Sequence, residues 1–442
     1  MTDLPRFAVT RAAKLAALPI GYAGRAAIGL GKRVGGKPAE LVAAELQARS
    51  AEQLFAVLGE LKGGAMKFGQ ALSIFESALP EDVAAPYRAM LTKLQDSAPA
   101  LPPETVHKVL AAELGPRWHT SKLVDVDDHA VAAASIGQVH RAVWRDGRQV
   151  AVKIQYPGAA KALLSDLATV SRVAKVATVW IPGIAIDPIL AELRERMAEE
   201  LDYRLEAASQ RAFARAFRGD EHIAVPDVLF ASERVLVSEW QDGRPMSTLI
   251  ADGSQADRDA IGSRYMEFLL DGPGRCGLLH SDPHPGNFRL LPDGRLGVLD
   301  FGAVKHLPDG LPSDMGRLLT LALGEDADEV LSGLREIGFV RPGIDLEAER
   351  LLDYLEPFIA PLRTDTFRFS REWIREVFGH INDPRKPNYT VGMRLNLPPE
   401  YLLIHRVWLG GIGVLCQLGA EVPGRATVDA LIPGADLPPL GE

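Results

Sequence analysis

Two polar motifs on either side of a predicted hairpin constrain this chain more than any other feature of its sequence. The first motif reads His280-Ser281-Asp282-Pro283-His284-Pro285-Gly286-Asn287, and Asp300-Phe301-Gly302 begins thirteen residues after Asn287. Between them, Phe288–Leu291 and Leu296–Leu299 have the composition of strands, and Pro292-Asp293-Gly294 is a turn signal. The pattern therefore sets two aspartates and one asparagine in a fixed order around a hairpin.

This order of side chains suits phosphoryl transfer from ATP, which requires neutralised phosphate charge and an oriented nucleophile. Asp282 is predicted to accept the proton of the nucleophile. Asn287 and Asp300 are predicted to hold Mg²⁺, because hard cations prefer oxygen ligands. The spacing matches the catalytic loop and the metal-binding motif of protein kinases. A surface loop followed by a chance Asp-Phe-Gly would explain either motif alone, but not both in this order around a hairpin.

A second hairpin is predicted upstream, where Gln138–Trp144 and Arg148–Gln155 flank the turn Arg145-Asp146-Gly147. A lysine on a strand is usually a solvated edge residue. Lys153, however, lies near the end of this hairpin and 147 residues before Asp300, where a kinase has the lysine that contacts the α and β phosphates. We therefore expect Lys153 to bind ATP.

Lys153 needs an acidic partner from the long helical region predicted at about Asp187 to Phe217. Glu206 is the predicted partner, and the catalytic set is then Asp282, Lys153 and Glu206. Spacing alone does not exclude Glu199 or Glu200.

The segment before Lys153 departs from the glycine-rich kinase pattern Gly-x-Gly-x-x-Gly-x-Val. Ala132 and Ala134 stand where the first two glycines would be. Alanine disfavours positive φ, so this Ala-rich loop is predicted to be stiffer than its kinase counterpart and to bind phosphates differently. The predicted nucleotide-binding residues are Ala132, Ala133, Ala134, Ser135, Ile136, Gly137, Gln138, Val139, Lys153 and Glu239.

The order of predicted elements indicates an α+β, protein-kinase-like bilobal fold with an N-terminal helical extension. One helix of this extension is expected from about Pro103 to Gly115, with proline at its start and glycine at its end. The predicted divisions are a basic helical arm at 1–49, a helical extension at 50–125, a kinase-like N-lobe at 126–241 and a kinase-like helical C-lobe at 242–442.

Over most of residues 50–420 the sequence resembles the UbiB/AarF-domain family of atypical kinases, relatives of the coenzyme Q biosynthesis kinases. The motifs that carry the resemblance are Lys67-Phe68-Gly69-Gln70, the Ala-rich loop, Glu200-Leu201-Asp202 and the two motifs around the downstream hairpin. The resemblance implies ATPase activity that supports isoprenoid-quinone or lipid metabolism at a membrane. It also supports Glu206 as the partner of Lys153.

The family resemblance assigns a regulatory role to the helix that carries Lys67, Gly69 and Gln70. It implies that this helix folds over the active site and that Glu200 and Asp202 help to hold it there. Lys67 and Gln70 are three residues apart and therefore share one helix face. Without the family context, Lys67 alone would be read as a solvated helix lysine.

Two absences argue against a protein substrate. Asp282 follows Ser281 rather than arginine, and no Ala-Pro-Glu closes a substrate-binding segment after Asp300-Phe301-Gly302. Protein kinase activity in trans is therefore predicted to be suppressed. One alternative is a small-molecule phosphotransferase of the antibiotic or choline kinase kind, which shares the His-x-Asp-x-x-x-x-Asn loop but lacks the Lys-x-Gly-Gln helix. Another is a nucleotide-gated binding module with negligible turnover.

The charge distribution indicates a membrane rather than a nucleic acid as partner. The net charge of -9 argues against a general nucleic-acid binder. Residues 4–39 nevertheless carry seven basic and no acidic side chains, which suits peripheral contact with an anionic membrane. The alternative is a helical arm packed on the chain's own catalytic body. The expected partners are ATP and a lipid or quinone-like small molecule.

The chain is expected to be cytoplasmic, with peripheral contact to a membrane. It contains only two cysteines, which favours a reducing compartment. The apolar run Val407–Leu418 is shorter than a transmembrane helix requires and is predicted to be a buried core helix.

Overall fold

The computed structural model describes residues 100–440 apart from 135, 160–200, 325, 382, 384 and 385. The basic arm, the Lys67–Gln70 helix, Ser135 and Glu200 lie outside the described residues.

The helices, α1 to α12 in chain order, are Pro103–Leu114, Trp118–Ser121, Tyr203–Ala216, Met246–Asp252, Gln255–Cys276, Ser313–Leu323, Ala327–Ile337, Ala348–Ile359, Arg371–Ile381, Pro387–Arg394, Pro399–Leu418 and Gly424–Leu431. The strands, β1 to β14, are Leu123–Val126, Ala132–Ala134, Gly137–Trp144, Gln149–Gln155, Ile223–Ala224, Val228–Ala231, Val235–Glu239, Arg244–Pro245, Leu278–His280, Phe288–Leu290, Leu296–Val298, Val304–His306, Phe367–Arg368 and Glu421–Val422.

The chain divides into two compact units. Within the described residues, the first unit holds 100–205 and 228–240, and the second holds 206–227 and 241–440. The sequence had assigned all of 126–241 to one lobe. The structure instead groups 206–227 with the second unit, because Phe213, Phe217 and Ile223 are buried in the core of that unit.

The first unit is built on an antiparallel sheet in the order β1-β3-β4-β7-β6, with β2 paired to β3. The predicted upstream hairpin is confirmed as β3 and β4, and Gly147 in its turn has a φ of 91° that favours glycine. Lys153 lies inside this sheet, where it pairs with Val139 on one side and Leu236 on the other.

Helix α1 belongs to the same core as this sheet. Its buried residues Val106 and Leu110 cluster with Val150 and Val152 of β4. The helix runs from Pro103 to Leu114 as the proline and glycine signals predicted. The sequence had assigned it to the helical extension, but its apolar face is used to cover the sheet.

The second unit is mainly helical and contains the predicted downstream hairpin, β10 and β11. Its long helix α5 begins after Ser254, whose hydroxyl accepts a hydrogen bond from the Asp257 amide, and ends at Gly277 in the left-handed conformation. Strands β5 and β6 are separated by a short gap. Pro226 lies in the gap, and proline has no N–H to donate to a ladder.

Helix α11 is longer than the apolar run seen in the sequence, because it begins at Pro399 and has 20 residues. Of the helices in the described part of the chain, it is the one whose length and composition would allow it to cross a membrane. A buried core helix of a soluble protein can have the same length and composition. Val407, Val414 and Leu415 are buried in the core of the second unit, as expected for the core helix that the sequence predicted.

The C-terminal segment packs closely on helix α6. The amide of Asp436 donates to the hydroxyl of Thr320 at 3.1 Å, and Gly316 lies so close to the main chain that an added Cβ would overlap Pro433 and Ala435. A side chain at position 316 therefore has no room unless the segment moves.

We predict that Gly316→Ala lowers the free energy of unfolding by about 1–3 kcal/mol, the usual cost of overpacking. The matched control is Gly274→Ala in α5, where an added Cβ meets no atom within 4 Å. That change should be neutral or stabilise by up to about 1 kcal/mol, since alanine is the better helix former. Denaturant unfolding of the two variants measures the difference, and equal stabilities would contradict this packing.

Candidate active site

The downstream hairpin brings Asn287 and Asp300 to the same end. Strand β10 begins directly after Asn287, and Phe288 pairs with Val298. Beyond the last pair, the amide of Leu299 donates to the carbonyl of Asn287 at 2.9 Å. Asp300 therefore follows a residue that is hydrogen-bonded to Asn287 across the hairpin.

Asp282 reaches the same place through a second pair of strands. His280 ends β9 and pairs with Val304 of β12. The Nε2–H of its imidazole donates to the carbonyl of Asp300 at 2.7 Å. The side-chain amide of Asn287 donates to the carbonyl of Asp282 at 3.2 Å. These bonds hold the three predicted polar residues in one cluster within the second unit.

The donor set of this cluster fits a magnesium ion. It offers two carboxylates and, because Asn287 uses its amide nitrogen toward Asp282, one amide oxygen. Mg²⁺ is typically held by one or two carboxylates together with waters and substrate phosphates. Among the described residues no group of three or more His, Cys, Asp or Glu side chains forms a metal-binding cluster.

Glu206 lies beside the Asp-Phe-Gly motif in the second unit. It is 7% exposed, and a Cβ added to Gly302 would lie 3.6 Å from its Oε2 and 3.2 Å from Oδ1 of Asp300. The Gly302 amide donates to that Oδ1 at 2.9 Å. Lys153 belongs to the first unit, where its Nζ lies 5.1 Å from the ring centroid of Tyr203. The pairing of Lys153 with Glu206 stays a prediction.

Aromatic side chains pack around the imidazole of His280, next to the polar cluster. The His280 ring lies 5.4 Å from Phe268, 5.6 Å from Phe288 and 5.7 Å from Phe301, centroid to centroid. Phe301 of the Asp-Phe-Gly motif is fully buried. Both motifs are thus anchored in one core by an aromatic or imidazole ring.

The Ala-rich loop lies in the first unit. Ala132, Ala133 and Ala134 form β2 and pair with Val139, Gln138 and Gly137 of β3. Gly137 is required by space, since an added Cβ would overlap the carbonyl of Ile154 and lie 2.8 Å from the hydroxyl of Tyr203. Ile136 is buried and its carbonyl accepts from the Tyr156 amide at 2.9 Å.

Residues 93–333, more than half of the chain, match the ABC1 atypical kinase-like domain. The chain belongs to this family. The resemblance to UbiB/AarF-type atypical kinases is thereby confirmed, and the helical and β-rich composition agrees with an α+β kinase-like fold.

Several relatives share much of this ABC1-family chain. Atypical kinase coq-8, mitochondrial, of Caenorhabditis elegans is 30% identical over 77% of this chain and 46% of its own length. Atypical kinase COQ8B, mitochondrial, of Rattus norvegicus is 29% identical over 85% of this chain and 70% of its own. The chain thus spans about half the length of the nematode relative. The structure of Rv3197 from Mycobacterium tuberculosis in complex with erythromycin is 43% identical over 91% of this chain and all of that one, with a TM-score of 0.72.

Gln138 of this ABC1-family chain has its side chain inside the first unit. It is 1% exposed, its Oε1 accepts from the Leu101 amide at 2.7 Å, and its amide nitrogen contacts Nε2 of His140 at 2.6 Å. Nδ1 of His140 lies 2.7 Å from the carbonyl of Asp127, which can only accept. The amide therefore donates to Nε2, and the proton of the neutral imidazole is on Nδ1. Sequence reasoning missed His140, which lies just beyond the motif.

Asp202 and Glu239 are both engaged by arginines of the first unit. Arg204 Nη2 lies 2.7 Å from Oδ2 of Asp202, and this hydrogen bond lowers the pKa of the carboxyl. Arg148 Nη1 lies 2.8 Å from Oε1 of Glu239 at the end of β7. The contact of Asp202 with the Lys67 helix and the contact of Glu239 with a nucleotide stay predictions.

We predict that Gln138→Leu destabilises the first unit by about 1–3 kcal/mol, because it leaves the amide of half-buried Leu101 and the buried Nε2 of His140 without their partner. The control is Gln149→Leu on the neighbouring strand, where the side chain is exposed and bonded to Arg141. That surface change should cost within about 0.5 kcal/mol. Urea unfolding compares them, and equal losses would show that the buried network does not stabilise the unit.

Proposed function

We propose that this chain is a Mg-ATP-dependent atypical kinase or ATPase of the UbiB/AarF type. The observation that carries the proposal is the cluster of Asp282, Asn287 and Asp300 at one hairpin end within an ABC1 atypical kinase-like domain. An intact set of oxygen ligands beside a candidate proton acceptor favours turnover over a nucleotide-gated binding module. The alternatives from the sequence, that module and a small-molecule phosphotransferase, are tested below.

In this proposal each residue has a separate task. Asp282 accepts the proton of the attacking hydroxyl or water, while the hydrogen bond from Asn287 holds its main chain in place. Asp300 and Asn287 supply the oxygen ligands for Mg²⁺, which neutralises charge on the phosphates when bound. Lys153 contacts the α and β phosphates, with Glu206 as its acidic partner.

The acceptor in this proposal is water, or a small or lipid-associated molecule, rather than a protein. After Gly302 the chain enters β12, which pairs with β9, and α6 begins at Ser313. This short segment leaves little chain for a peptide platform. The Lys67 helix, which the family resemblance places over the active site, would restrict a peptide further.

We further propose peripheral contact with a membrane and a role in isoprenoid-quinone or lipid metabolism. Some of the relatives are named as mitochondrial or chloroplastic proteins, and several carry the name COQ8. None of those names supports the cytoplasmic location expected from the sequence. The basic segment 4–39 is the proposed membrane contact, since each basic residue near an anionic surface contributes about 1 kcal/mol.

The central test is phosphate release from ATP by the purified protein. Asp300→Asn should abolish Mg²⁺-dependent release while the fold is kept, because a neutral amide replaces an anionic ligand. The matched control is Asp293→Asn in the exposed turn of the same hairpin, where the carboxylate binds Arg295. That variant should hydrolyse ATP like the parent. Hydrolysis by Asp300→Asn at the parental rate would remove Asp300 from the metal site.

Added compounds distinguish the candidate acceptors in the same assay. Anionic liposomes and quinone-like phenols should raise phosphate release if the acceptor or activator is membrane-associated. Labelled phosphate on an aminoglycoside or choline would favour the small-molecule phosphotransferase. ATP binding without release under any condition would favour the binding module. Erythromycin is a further compound to add to the assay. The 43% identical M. tuberculosis protein was solved with it, so macrolide binding is a second candidate function.

Suppression of protein kinase activity makes a separate prediction. Lys67→Ala should release the covering helix, and Ala134→Gly should restore a glycine of the kinase phosphate loop. Either change should increase autophosphorylation and reduce phosphate release, because positioning dominates phosphoryl transfer. Transfer of labelled γ-phosphate to the protein itself measures the effect. Strong peptide phosphorylation by the parent, with no gain in either variant, would show that the helix is not a lid.

A further inference from the structure

We propose that Tyr265 is a positioning residue that orients the carboxylate of Asp282 through the peptide group between Pro283 and His284. The inference rests on the proposed function, in which Asp282 accepts a proton. It assigns a role in that site to a residue of α5 that belongs to neither of the two polar motifs.

The contact that begins this route is a buried hydrogen bond. The hydroxyl of Tyr265 donates to the carbonyl of Pro283 at 2.8 Å, and the side chain is 0% exposed. Its ring meets that of Phe288 edge to face, with centroids 4.9 Å apart and planes at 89°. Because Phe288 directly follows Asn287, the packing that fixes the tyrosine also involves the hairpin of the candidate metal ligands.

The peptide group between Pro283 and His284 links this hydrogen bond to the carboxylate of Asp282. The amide of His284 contacts Oδ1 of Asp282 at 3.4 Å, which is long for an N–H···O hydrogen bond. A peptide is planar, so holding the Pro283 carbonyl also sets the direction of the His284 N–H. Hydrogen bonds linked through one group polarise one another, and catalytic bonds that are long without ligand shorten in the reacting complex.

The composition of the loop explains why such a contact is needed. Pro283 and Pro285 have no N–H, so the amides between Asp282 and Asn287 are those of His284 and Gly286. The Gly286 amide donates to Nδ1 of His284 at 3.1 Å. That leaves the His284 amide to face the carboxylate, whereas the Asn287 bond fixes the main chain of Asp282.

The phenol is kept in the form that can donate. Burial, and the nearby negative charge of Asp282, raise the pKa of Tyr265 well above its ordinary value. The hydroxyl therefore keeps its proton at any pH at which the protein would work.

The test compares Tyr265→Phe with Tyr401→Phe. Tyr401 is a second buried tyrosine of the same unit, 5% exposed and packed on Phe339, so it controls for loss of a phenol oxygen from the interior. Two measurements are made on the full chain: steady-state phosphate release from Mg-ATP, and amide hydrogen exchange of peptides covering 282–287. The exchange measurement does not depend on turnover.

Tyr265→Phe should lower kcat about 10- to 100-fold, the loss typical of a small misplacement of a reacting group. KM for ATP should change by less than about twofold, since Pro283 and Phe288, which the tyrosine contacts, are not among the predicted nucleotide-binding residues. Exchange at His284 should accelerate about tenfold. Tyr401→Phe should change neither quantity.

Parental kcat and parental exchange in Tyr265→Phe would overturn the proposal. Equal acceleration of exchange along all of α5 would also overturn it, because that pattern means general loosening of the core. If the parent releases no phosphate, the proposed function fails, and the exchange data still decide whether Tyr265 holds the loop.

Discussion

The hydrogen bond from the Asn287 side chain to the Asp282 carbonyl is the interaction on which the candidate site depends. Two carboxylates do not come together unaided, since like charges at short range repel. Here side chains hold the main-chain carbonyls of both aspartates, through the bond from Asn287 to Asp282 and the bond from His280 to Asp300. Both bonds act on the main chain, so the backbone at each aspartate is held whatever the charge on its carboxylate.

Burial of the aromatic side chains around His280 stabilises this arrangement. Phe288 and Phe301 directly follow Asn287 and Asp300 in the sequence, and both rings are fully buried in the core of the second unit. Burying such a ring contributes on the order of 2–3 kcal/mol. The residues that stabilise the site thus lie next to its polar residues in the sequence. A short pattern is therefore enough to specify the local geometry.

The same locality explains what the sequence could predict. Both hairpins and the grouping of Asp282, Asn287 and Asp300 depend on neighbours within about twenty residues, and the structure has them as expected. The bonds from Tyr265 to the Pro283 carbonyl and from His140 to the Asp127 carbonyl join residues of different elements, so no spacing rule reveals them. The sequence does not mark the unit boundary inside α3 for a related reason, because helical periodicity does not say which core a face will join.

The Ala-rich loop shows how a sequence that departs from a motif still fits the fold. Because Ala132–Ala134 form a strand paired with β3, their backbone lies in the extended region, where a Cβ is tolerated. Glycine is needed at Gly137, where the Ile154 carbonyl comes too close for a side chain. A strand paired into the sheet has fewer accessible conformations than a glycine flap, so less entropy is lost when it binds a ligand. The pairing of Ala132–Ala134 with β3 is thus a physical basis for the prediction that the Ala-rich loop is stiffer than a glycine-rich one.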